Sequence, residues 1–400
     1  MDEATRRLRG AGALAPWLAA SLIAGMFVGT TVVTPLYDVY RRDFGFDQIT
    51  LTLIYAVYMI GNLLALAFFG RLSDQIGRRR TALPAIGLGM LSTLVFLFAT
   101  DTAWLFAARV ISGFAIGIAS GTGTAWVAEL FGGRDKARAS LMAAFANMVG
   151  LSVGALLAGC LVQYAPWPLR LVFVVYLAML VVLMFVVRSI KETVRQPRAF
   201  REASLRPRIG VPRSIAAEFI APAATGFGSF ALFGFYAALA PGILEHDLHL
   251  SNRALGGGVV FELCVVAALT VIATRRLSSR GAMIGGLALL LPSLLLLVLA
   301  QALASLPLLL AGTAVGGVAA ALGYRGSLQV VNEIAPGQQR AEVISTYLLC
   351  CYVGNGLPVV GVGVISQLAT PVIASSTFAI TIALFAIAAL FTGSKYSHHA

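Results

Sequence analysis

Charge is what this sequence is short of. Asp, Glu, Lys and Arg make up 12% of its 400 residues, against about 25% in a soluble globular domain. Acids are scarcer still, with 17 Asp and Glu against 29 Lys and Arg. The four cysteines, Cys160, Cys264, Cys350 and Cys351, all fall inside apolar runs. They have neither disulfide-framework nor metal-site spacing, so they read as small packed residues. Paired carboxylates, metal-ligand clusters and a nucleophile beside a base are missing, so the sequence reads as no enzyme and calls for no cofactor or metal. Glu245-His246-Asp247-Leu248-His249 comes nearest to a metal site. It lacks a cysteine and a second cluster, and reads as a solvated loop.

What is present is apolar. Hydrophobic residues are 59% of the chain and the mean hydropathy is +0.88. One soluble core cannot absorb that surface, so the bilayer is the solvent. A net charge of +12 would suggest nucleic acid in a soluble protein. Here the bases sit in short loops between apolar runs, which sets topology and implies no nucleic acid.

A spanning helix needs about 20 apolar residues. Twelve stretches qualify: 13–37, 50–70, 81–100, 104–126, 139–162, 167–187, 214–240, 254–274, 282–302, 307–327, 343–366 and 371–393. The expected fold is an all-α membrane protein of twelve transmembrane helices. Arg6, Arg7, Arg9, Arg71, Arg78–Arg80, Arg134, Lys136, Arg138, Arg275, Arg276, Arg280, Arg340 and Lys395 fall on one side, and Arg41, Arg42, Arg170 and Arg253 on the other. The positive-inside rule makes both termini cytoplasmic in an inner (plasma) membrane. The charged N-terminus leads into a full-length apolar run without an A-x-A-type site, which reads as a retained first helix.

The long polar segment 188–213 carries eight basic residues, two acidic ones and three prolines. It reads as a cytoplasmic linker beside the anionic leaflet, dividing the chain into six-helix bundles at 1–187 and 214–400. The halves look related. Ala128-Glu129-Leu130-Phe131 with Lys136-Ala137 recurs 204 residues later as Asn332-Glu333-Ile334-Ala335 with Arg340-Ala341, and the same offset maps Gly113, Gly150 and Gly159 onto Gly317, Gly354 and Gly363.

The most specific stretch is Gly70–Arg80, G-R-L-S-D-Q-I-G-R-R-R, between runs two and three. Asp74 is its only acid. Gly70, Leu72, Asp74, Gly77, Arg78 and Arg79 match G-x-L-x-D-x-x-G-R-R/K, and the loop resembles motif A of the major facilitator superfamily. That resemblance implies a parallel six-plus-six repeat. It also implies a gating role, with Asp74 facing the start of helix 11 near 341–345 and Glu129 forming a charge network with Arg78 and Arg138. The copy in the second half is degraded, with Ser279 where Asp74 would fall.

Charges inside the spans are expensive and therefore informative. Arg109 lies about two turns into helix 4, followed by Ser112 and Gly113, and resembles motif B, R-x-x-Q-G, whose arginine is linked in that family to proton coupling. Glu262 lies mid-helix 8 in Val-Phe-Glu-Leu-Cys. A carboxyl in apolar surroundings holds its proton more tightly, which suits a group that loads and releases one. Gly150, Gly154 and Gly159 on helix 5 look like the antiporter motif C, although Ala155 and Ala158 depart from it. Tyr37, Tyr58, Asn62, Asn147, Tyr236 and Asn355 are the candidate substrate-binding residues, suiting an amphipathic or weakly polar small molecule.

The resemblance is to the twelve-helix drug:proton antiporter branch. It implies a monomeric secondary transporter, probing as partners a small-molecule substrate, protons and the lipid bilayer, and expelling an amphipathic molecule or drug by alternating access. The alternative is a proton symporter for uptake of a small metabolite such as a sugar or organic acid; a static scaffold that lost transport is a third reading.

Overall fold

The computed structural model describes residues 3–70, 72–131, 135–194, 209–337 and 339–395. Arg71 and most of the linker, 195–208, lie outside them. Among the described residues, twelve helices are long and apolar enough to cross a membrane. They are α1 (Leu14–Phe44), α2 (Gln48–Phe69), α3 (Arg78–Leu97), α4 (Thr102–Leu130), α5 (Arg138–Tyr164), α6 (Pro168–Ser189), α7 (Arg213–Asp247), α8 (Arg253–Ala273), α9 (Ser279–Ala302), α10 (Leu306–Ile334), α11 (Glu342–Leu368) and α12 (Pro371–Phe391).

Short polar side chains start several of these helices by capping orphan amides. Asp47 accepts from Thr50 N at 2.7 Å, Asp101 from Ala103 N at 2.7 Å and Asn252 from Ala254 N at 2.9 Å. Large apolar side chains such as Val182, Phe185, Ile380 and Leu384 stay exposed on the outside of the bundle, where lipid takes the place of a partner helix.

Spans α1, α7 and α10 each run seven residues past their apolar stretches. The regular part of α1 ends at Thr31, where Pro35 forces a 3₁₀ turn at Thr34–Leu36. A second helical segment, Tyr37–Phe44, follows and ends on Gly45 at φ 69°. At the end of α7, Glu245-His246-Asp247 is not a solvated loop. It lies in a π-helical turn, Ile243–Asp247, which buries Ile243 and Leu244. The apolar residues interleaved with the charges anchor that turn.

Close approaches follow the 204-residue offset. A Cβ on Gly113 would lie 1.9 Å from Tyr58 O, pinning α4 to α2, and one on Gly317 would lie 2.7 Å from Leu263 O, pinning α10 to α8. Gly150 meets Ala24 O at 2.3 Å (α5 on α1), as Gly354 meets Phe227 O at 2.4 Å (α11 on α7). Between the first six spans and the last six, the main packing pairs are α5 with α8 and α2 with α11.

Candidate functional site

Three places gather polar chemistry, at different depths. Deepest is Arg109 on α4, with none of its surface exposed. Its guanidinium lies 4.8 Å from the ring centroid of Tyr58, 5.6 Å from Tyr55 and 5.9 Å from Tyr37. Its Nη1 donates to Thr30 O at 3.2 Å. The tight α2–α4 crossing at Gly113 brings Tyr58 this close. Each desolvated cation–π contact contributes up to about 2 kcal/mol, against the few kcal/mol that a charge costs at mid-bilayer. Nε and Nη2 of Arg109 have no hydrogen-bond partner. The cage is closed from the other half, where Asn355 Nδ2 on α11 donates to Tyr55 Oη at 3.2 Å.

Tyr37 and Tyr58 thus join Arg109, and Asn355 reaches it through Tyr55. Asn62 is fully buried one turn from Tyr58. Asn147 on α5 is partly exposed. Tyr236 belongs elsewhere: it is buried on α7, edge-on to Phe235 at 6.0 Å. Glu262 on α8 is half-buried with its Oε2 unpartnered. It shares no hydrogen bond or ion pair with Arg109, so the two membrane charges occupy separate halves.

The second place is the α2–α3 connection, on the face of the bundle that carries the chain ends. It is not a plain turn, because Leu72–Ile76 forms a helical turn. Gly77 then reverses the chain at φ 111°, a backbone region that other residues rarely adopt. Arg78 is nearly enclosed and binds Asp74 Oδ1 at 2.5 Å, Glu129 Oε1 at 2.6 Å and Ser73 Oγ at 2.6 Å. Asp74 is half exposed. Arg138 does not enter this network. It pairs with Asp135 at 3.0 Å, the capping residue three positions before it, because the nearer acid wins. Arg79 is exposed and its Nη1 donates to Arg188 O at 3.3 Å. In the second half the motif's copy keeps one link, Ser279 Oγ to Glu333 Oε1 at 2.7 Å.

Glu192, just past α6, had no sequence signal. Its carboxylate accepts from Arg78 N and Arg79 N, both at 2.9 Å, capping α3 from 114 residues away. Beside it, Thr193 Oγ1 bonds Glu129 and Trp126 Nε1 donates to Lys191 O at 3.2 Å. Arg325 on α10 was also missed. It closes the end of α8 by donating to the carbonyls of Thr274, Arg275 and Leu277. An arginine so near an apolar run's end reads as one more loop charge.

The third place is the opposite, far face, where the halves meet. Arg42 pairs with Glu245, and Arg41 lies 2.6 Å from His246 Nε2 and 3.3 Å from Asp38. Beside them a cavity of about 180 Å³ is lined by Arg41, Gln48, His246, Asp247, Ser366 and Ser375. Beneath, glycines make the seams tight, against backbone where α8 meets α5 and against side chains where α11 meets α2. A Cβ on Gly363 would sit 2.2 Å from Thr52 Oγ1, and one on Gly257 2.3 Å from Ala155 O. Gly356 lies against Met59.

Residues 18–282 match the model of the Major Facilitator Superfamily. Among relatives, the chloramphenicol resistance protein CraA of Acinetobacter baumannii is 23% identical over 155 residues, 39% of this chain and 38% of that one. The uncharacterized MFS-type transporter EfpA of Mycobacterium tuberculosis is 35% identical over 140 residues, 34% and 25% of the two chains. The quinolone resistance protein NorA of Staphylococcus aureus is 29% identical over 115 residues, 28% and 29%. The chain therefore spans well under half the length of each of these relatives. A bacterial homologue of the human lysosomal transporter Spinster, solved in an inward-facing, unoccupied conformation, superposes with a TM-score of 0.74 at 15% identity, over 96% of this chain and 98% of that one.

Proposed function

This chain belongs to the Major Facilitator Superfamily, and on that premise we propose that it is a proton-coupled antiporter expelling a small amphipathic molecule. Its family and fold are those of transporters, and it is a multi-pass membrane protein. The bundles are 1–187 and 214–400, joined by the linker 188–213. Both termini face the cytoplasm of an inner membrane, and the unit is a monomer.

The observation that carries alternating access is the closure of the far face among the described residues. The Arg42–Glu245 ion pair, the glycine seams and the Tyr55–Asn355 bond join the halves from the far face down to mid-depth. Toward the chain-end face, Asp74 is satisfied within its own loop by Arg78. We assign this arrangement to the state open to the cytoplasm. On rocking, the far seams part, Asp74 turns to the start of α11, and the Arg78–Glu129 network holds the α2–α3 loop rigid. Arg109 and Glu262 serve coupling from separate halves. Glu262 carries the proton, since an arginine stays charged throughout. The resistance functions named for CraA and NorA support outward transport of drug-like molecules.

The test uses everted vesicles holding an acid-inside gradient and a pH-sensitive dye. Addition of lipophilic cations, antibiotics, sugars or organic acids, one class at a time, is expected to trigger proton release with one class, lost in Glu262→Gln. Silence across the panel from folded protein, with substrate-driven growth in whole cells, would replace antiport by uptake symport.

A further inference from the structure

Arg109 is a full positive charge with no acid beside it among the described residues. Its nearest groups are three tyrosine rings and one backbone carbonyl. Rings and a carbonyl offset part of the burial energy, yet two of its nitrogens still lack an acceptor. Buried N–H groups are almost always satisfied in native proteins.

The neighbourhood repeats the deficit. Thr30, Thr34 and Tyr37 follow at three- and four-residue spacing along one side of α1, each more than nine-tenths buried, and each hydroxyl is unpartnered. Thr30 touches Arg109 through its carbonyl and Tyr37 through its ring. Hydroxyls rotate to donate when an acceptor is offered. A fixed cation with two unpaired nitrogens, beside residues whose hydroxyls are idle and with no carboxylate next to it among the described residues, is complementary to an anion. A proton would add charge to a centre that already has too much.

We propose that Arg109, with Tyr37 and Thr30, forms a binding site for a monovalent anion of carboxylate or halide size, reached when the Tyr55–Asn355 bond between the halves opens. The site neutralises Arg109 by a charge-assisted pair, while the rings of Tyr55 and Tyr58 stack on the apolar body of a carboxylate ligand. The proposal rests on the transporter reading and narrows it: the amphipathic molecule carries its acid toward α4, and simple lipophilic cations are excluded from this subsite.

The test is a binding measurement on the purified full chain in detergent, so that it stands apart from the proton-release assay. Sulfate is the sole background anion. Chloride or benzoate is titrated at constant ionic strength while Tm is followed, because a ligand of the folded state raises it saturably. The expected result is a saturable upward shift that is lost in Arg109→Gln. Tyr37→Phe keeps the ring and the fold but removes one hydrogen bond to a charged group, and should weaken binding about tenfold. A response to chloride alone assigns a resident halide. A response to benzoate, with exchange of radiolabelled benzoate in proteoliposomes, assigns the substrate's own carboxylate. Absence of a saturable shift with either anion, or a shift unchanged in both variants, overturns the site, even where proton antiport of other compounds is intact.

Discussion

Gly257→Ala should prise open the far face. A Cβ there would lie 2.3 Å from Ala155 O, 3.1 Å from Ala155 C and 3.2 Å from the Cα of Gly159. All three are backbone atoms of α5, so no rotamer change relieves the clash. Ordinary contact begins at 3.4 Å, so α8 must retreat from α5 by about 1 Å. Overpacking of this kind costs about 1–3 kcal/mol, and here it falls only on the far-closed state. Each 1.4 kcal/mol is a factor of ten in the open-to-closed ratio, which gives an increase of about five- to 150-fold. The chain holds its own reporter: Cys264, two turns further along α8, is fully buried. With Cys160, Cys350 and Cys351 replaced by serine, the rate at which a membrane-impermeant maleimide labels Cys264 from the far side should rise by that factor. Gly258→Ala is the control, because a Cβ there meets nothing within 4 Å; its labelling rate and transport should match the parent. Unchanged labelling in folded Gly257→Ala, or equal acceleration in Gly258→Ala, would refute the assignment of this seam as the gate.

Other perturbations reach the remaining parts. Asp74→Asn should leave expression intact and slow transport several-fold; wild-type flux in vesicles would exclude the latch. Arg42→Glu should raise far-side labelling of Cys264 about two- to fivefold, the scale of an exposed ion pair, and Arg42→Glu with Glu245→Arg should restore it, as a double-mutant cycle would record. Glu192→Gln should loosen the start of α3 by about 1 kcal/mol, typical of a lost cap, seen as a lower Tm and faster amide exchange at Arg78 and Arg79. Arg325→Met should lower Tm by more than Arg340→Met, because Arg325 closes three carbonyls at the end of α8 while Arg340 is exposed on Asn332.

Much of this molecule was legible in the sequence because a bilayer imposes length and polarity on every span. Twelve apolar runs became twelve helices, and the α2–α3 connection announced itself through Gly77, whose positive φ only its residue type could signal. The 204-residue offset between glycines reappeared as matched helix crossings, since small residues recur where backbones meet. What stayed hidden depends on where side chains point across the fold. Only the packing of α2 on α4 makes Tyr55 a wall around Arg109. Glu192 and the Arg42–Glu245 pair join positions 114 and 203 residues apart, a distance no local pattern encodes. Glu245 itself was misread because its charged neighbours masked Ile243 and Leu244, the residues that hold the turn in place.

The far-face seams have a consequence for how such a protein can change over time. Where α5 meets α8, the barrier is main chain against main chain. The polar side chains around Arg109, such as Tyr58 and Asn355, where we propose that cargo binds, stand deeper. Leak-tightness and chemical taste are therefore vested in different atoms. Mutations that widen or recolour the pocket can accumulate without short-circuiting the ion gradient across the membrane, and a lineage can sample new cargo while its insulation stays inherited intact.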